Sequence, residues 1–183
     1  MVKKKDTEEL ASQGDIKEQA AMDSASDEPE EDPYSMFDEE VAEILRADDR
    51  YLEEFYASMR RSGLSDNTIG NHMSNAELFV RDWLGAREGC PMEEGPDYVG
   101  GFLGNYYIRR CMWSTPLNIK TTATSIKKFY KCMADLGHIS QATYKGLVET
   151  IKQDTPEWQW KCAVYNDPVS EWEEIADLFE ELW

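Results

Sequence analysis

From Ala47 onward the apolar residues fall at helical spacing. Tyr51, Leu52, Phe55 and Met59 recur at steps of one, three and four, which places them on one face of a helix that ends at Gly63. A short helix from Met36 to about Leu45 is expected to precede it. Ser65 or Asp66 then offers a side-chain oxygen to cap a second helix. Along that helix Ile69, Met73, Ala76, Val80 and Trp83 follow at steps of four, three, four and three. "GAREGCPMEEGP", Gly85 to Pro96, reads as a loop. A third helix is predicted over about Asp97 to Cys111, with Val99, Phe102, Leu103, Tyr106 and Tyr107 inward. Its Gly100, Gly101 and Gly104 lower helix propensity and mark a close helix approach.

In "STPLN" Thr115 is an N-cap and Pro116 stands at the first helical position, where its missing N–H costs nothing. The helix it opens runs to Leu136 and is closed by Gly137. Ser140 caps a fifth, with Tyr144, Leu147, Val148 and Ile151 inward. No strand pattern competes, so the expectation is an all-α bundle of four to five core helices.

Residues 1–34 carry charged and small side chains, with Tyr34 their one aromatic, and are expected to form a disordered acidic tail. The helical domain is expected over residues 35–155. Residues 156–183 read as a Trp-rich acidic extension. Its last helix puts Val169, Trp172, Ile175, Phe179 and Leu182 on one stripe, with carboxylates opposite.

Charge changes this picture. The net charge of −18 would repel nucleic acid if it were spread evenly. Residues 1–49 are net −12, residues 50–155 net +1 and residues 156–183 net −7. From Tyr98 to Ala134, 37 residues contain no Asp or Glu, yet hold Arg109, Arg110, Lys120, Lys127, Lys128 and Lys131. On the fourth helix Lys120, Thr124, Lys127 and Lys131 share a face at steps of four, three and four, with Lys128 beside them. Ala123, Ile126, Phe129 or Tyr130, and Met133 lie opposite. Cations and hydroxyls of this kind bind phosphates.

Four widely spaced cysteines without a CxxC pair, and two distant histidines, suggest no metal site or cofactor. No glycine-rich phosphate loop and no small-molecule ligand site is evident. "MVKKKDTEEL" has a basic start without an apolar run, so a reduced cytoplasmic location without membrane association is expected.

Two segments match a known pattern in the right order. "GLSDNTIGNHMSNAELFVRDWL" resembles the second helix, and "TTATSIKKFYKCMADLGHISQAT" the fourth, of the core-binding (SAM-like) domain of tyrosine recombinases, the phage-integrase family. The resemblance covers about residues 48–153. Gln141-Ala142 departs from the Asn-Pro typical of the family. The resemblance implies a helical bundle that clamps one face of duplex DNA. By position it implies DNA contacts from Ser65, Asn67 and Thr68 at a helix N-terminus, from Lys127 and Lys128, and, less directly, from Arg109 and Arg110. The family's Arg–Lys–His–Arg–His/Trp–Tyr set belongs to a second domain. The 28 residues after Thr155 contain no His and no Arg. The expectation is therefore a non-catalytic double-stranded-DNA binder, accessory or regulatory to DNA integration and recombination. The alternative is a protein-interaction module that docks residues 169–183 on a partner.

Overall fold

The computed structural model describes residues 33–166, with side chains from Asp38 onward. Among these residues it is all-α, without a strand. The acidic tail before Pro33 and the stripe of residues 169–183 lie outside the described residues.

Helix α1 spans Pro33–Arg61 without interruption, where the sequence suggested two helices meeting near residue 46. The Arg50 guanidinium donates to the Arg46 carbonyl across that point (3.0 Å), and no Pro or Gly stands there to break the chain. The boundary expected after residue 34 thus falls in the first turn of α1.

Helix α2, Asp66–Glu77, runs on through a π-helical stretch, Leu78–Gly85. Ser65 is its N-cap, its hydroxyl accepting from the Thr68 N–H (3.3 Å). Helix α3 comprises Gly95–Gly101, a π-helical segment Phe102–Tyr106 and a last turn Tyr107–Arg110. The loop before it contains a 3₁₀ turn, Met92–Glu94. Met92 there is buried, and its carbonyl accepts from the buried Tyr130 hydroxyl (2.8 Å). Helix α4 is Pro116–Leu136, capped by Thr115, whose hydroxyl accepts from the Asn118 N–H (3.1 Å). Gly137 closes it in the left-handed conformation, φ 87°.

Helix α5 covers Gln141–Asn166 and carries Pro156 in its interior. The boundary drawn after residue 155 is therefore corrected: it falls inside a continuous helix. A proline there removes one backbone donor, and the helix continues because its next turns are anchored. Trp158 and Cys162 are buried in the common core. Gly104 of α3 makes room for Trp158: a Cβ at Gly104 would stand 2.8 Å from the indole Cδ1.

The core is aromatic. Phe79, Trp83 and Phe102 meet at ring-centroid distances of 4.9–5.7 Å, and Phe55 meets Phe129 edge-on at 5.4 Å. Phe129 and Tyr130 are both buried, with Ala123, Ile126 and Met133 of the same face. This leaves the basic face of α4 outside.

Candidate nucleic-acid interface

The lysines of α4 point outward because its other face supplies the core. Lys120, Lys128 and Lys131 are exposed and Lys127 is half-buried. Among the described residues Lys120, Lys127 and Lys128 form no ion pair, whereas Lys131 is held by Asp135 at 2.8 Å. Asp135 is the first residue after the acid-free window, one helical turn beyond Lys131. The pair is exposed, so solvent and salt screen it and it restrains Lys131 weakly.

An open groove of about 650 Å³ separates α2 from α4. Thr68, Asn71, His72 and Asn75 line one side. Leu117, Asn118, Lys120, Thr121 and Thr124 line the other, and Trp113 also borders it. No carboxylate borders it among the described residues. A second groove, about 450 Å³, lies on the other flank of α4 against α1 and α5. It is lined by Lys127, Lys128 and Lys131, with Thr124 common to both grooves. The expected phosphate-binding stripe thus runs along a ridge between two grooves.

Partly buried polar bonds hold the first groove together. The Ser125 hydroxyl donates to the Thr121 carbonyl (3.1 Å) and accepts from Asn75 Nδ2 (3.0 Å). His72 Nδ1 lies 2.9 Å from the same oxygen. With its proton and one lone pair committed, Ser125 can only accept from His72, so Nδ1 carries the hydrogen and Nε2 is left as an acceptor. Burial, and then the positive charge of Lys128, push the His72 pKa down. Thr122 Oγ1 donates to Asn75 Oδ1 (3.3 Å) and adds a further tie between the helices.

The remaining expected contacts divide. Thr68 borders the groove, but its hydroxyl and that of Ser65 bond to each other (2.8 Å). Capping is what this pair does in the fold. Asn67 is exposed in the first turn of α2, outside the groove lining. Thr124 donates to the Lys120 carbonyl (2.9 Å) and Thr121 to the Asn118 carbonyl (3.1 Å). Both α4 hydroxyls therefore present lone pairs, not protons, to the groove. Arg109 and Arg110 are exposed at the end of α3, outside both grooves, and form no ion pair among the described residues.

Sequence reasoning missed Asn71, Asn75, Asn118 and Trp113. The signal for the α2 residues was present: Thr68, Asn71, His72 and Asn75 recur at steps of three, one and three, a polar face opposite the apolar one. Among the described residues no three His, Cys, Asp or Glu side chains gather as metal ligands. The four cysteines are buried free thiols, and burial raises the pKa of each. No described helix is long and apolar enough to cross a membrane. No family model, no curated protein and no solved structure matches the chain.

Proposed function

We propose that the ridge of α4 and its flanking grooves bind the phosphate backbone of double-stranded DNA. In this reading the chain is a non-catalytic, core-binding-like protein of the cytoplasm, accessory or regulatory to integrase-type recombination. The observation that carries the reading is the run of Lys120, Lys127 and Lys128 along α4, unpaired among the described residues, with Lys120 on a groove that no described carboxylate lines. Lysines so placed release condensed counterions when they meet phosphate. Asn71 and Lys120 supply donors on opposite walls. Thr121 and Thr124 join them by turning their hydroxyls away from the helix carbonyls, a single side-chain rotation each.

Fluorescence anisotropy of a labelled duplex, titrated with the full chain at several salt concentrations, tests the reading. Affinity should fall steeply with salt, and Lys120→Glu should weaken binding on every sequence alike. Salt-independent binding, or none at low salt, would overturn it.

A second reading, docking of a protein partner, is favoured by large apolar side chains near the groove. Met112 is 98% exposed, Leu117 67% and Trp113 60%. Binding that persists unchanged in Lys120→Glu and is lost in Trp113→Ala would favour it.

A further inference from the structure

The apolar rim of the α2–α4 groove has no cover among the described residues. Trp113 and Leu117 line the groove and are more than half exposed, with Met112 beside them. Exposed apolar groups of this size, adjoining one another, mark a contact surface.

Helix α5 delivers the rest of the chain to that rim. Gln159 Nε2 donates to the Pro116 carbonyl (2.8 Å), and Asn166 Nδ2 donates to the Ser114 carbonyl (2.7 Å). The final described residue is therefore fastened to the loop that holds Met112 and Trp113. Residues 167–183 begin at that point. They carry seven Asp and Glu and no Lys or Arg. Read as a helix, they gather Val169, Trp172, Ile175, Phe179 and Leu182 into one stripe. Trp172 is six residues beyond Asn166, within about 20 Å even of a fully extended chain. Lys120 borders the rim, and among the described residues no carboxylate does.

We propose that residues 167–183 dock in cis on the Met112–Trp113–Leu117 rim, burying their apolar stripe there and setting their carboxylates against Lys120, so that this segment and DNA exclude each other. The inference rests on the DNA reading for what is excluded, but not for the docking. Reach, apolar match and opposite charge all favour the chain's own segment over another occupant.

The test uses the full chain and two variants, Trp172→Ser/Phe179→Ser and Trp113→Ala/Leu117→Ala. Trp113 and Leu117 are exposed, so the second variant removes no core contact among the described residues, and thermal melting checks that both variants stay folded. Hydrogen exchange followed by mass spectrometry reads docking directly. Amides of residues 112–121 should exchange faster in the first variant than in the parent. Duplex affinity of that variant should rise roughly 5–150-fold, the usual span of coupling between linked sites. The gain should persist at about 0.15 M salt, where repulsion beyond about 8 Å is screened. Unchanged exchange at residues 112–121 would overturn the proposal. Exchange that rises on dilution of the parent, with a dimer seen by sedimentation, would assign the rim to a second copy and overturn docking in cis. Faster exchange in the variant without duplex binding by either chain would uphold docking and overturn the DNA reading alone.

Discussion

Asp48 is an α1 carboxylate with 1% of its surface exposed, and neither oxygen has a hydrogen-bond partner. Gly85 packs directly against it, since a Cβ there would lie 2.5 Å from Oδ2. Burial, then the nearby Glu93 and Asp49 charges, raise its pKa from 3.8 to about 7, with Arg81 opposing. Between those two values the folded chain keeps a proton that the unfolded chain has released. Stability from this group is therefore fully present below pH 3.8, falls as pH rises, and is lost above about pH 7. The loss is roughly 4 kcal/mol, at about 1.4 kcal/mol for each pKa unit. Asp48→Asn, close in shape and permanently neutral, should stabilise the protein by about 1–3 kcal/mol at pH 8 and by roughly a third of that at pH 5, where the unfolded carboxyl has already ionised. Urea unfolding midpoints of variant and parent at the two pH values check this. An equal gain at both would mean that Asp48 does not titrate. Nothing in "RADDRY" distinguishes Asp48 from its charged neighbours, because its burial depends on a glycine 37 positions away.

At the scale of elements, local chemistry is legible and continuity is not. Ser65, Thr115 and Ser140 each accept from the backbone N–H three residues on, as short side-chain oxygens do at N-caps. Pro156 reads as a stop, yet α5 passes through it because Trp158 is held against α3. Gly104→Ala tests that packing. The added methyl would press on a Trp158 ring that is itself 4% exposed. The overpacking cost of about 1–3 kcal/mol should exceed the roughly 1 kcal/mol that alanine gains in helix propensity. The thermal midpoint should fall; a rise would show that the indole can yield. Trp158→Ala should cost more, about 3–5 kcal/mol. The same range is expected for Phe102→Ala and Phe129→Ala, read by chemical denaturation. Unchanged stability in any of these would contradict the inward faces described here.

For the whole molecule, charge segregation is the governing feature. The net −18 belongs to the ends of the chain, and the described bundle presents a ridge of lysines. Lys120→Glu/Lys128→Glu, both at exposed positions, should leave stability within about 0.5 kcal/mol, as exposed substitutions do. It should also weaken duplex binding and lower the slope of log affinity against log salt by about two. Thermal melting and salt titrations together check this; a weakened variant that has also unfolded would carry no weight for the interface. Equal affinity at low salt would remove both lysines from it.

Helical period, caps and the acid-free window are properties of neighbours in sequence. They sufficed for the all-α class, for the bounds of α4 and for the outward basic face. What the sequence left open depended on residues brought together from afar. The polar face of α2 becomes one wall of a groove only because Ser125 of α4 bonds both His72 and Asn75. The helix after Ser140 outlasts its proline because Gly104 leaves room for an indole ring. Each of these turns on an approach of a few ångströms between groups distant in the chain or in rotamer, and periodicity carries no information at that range.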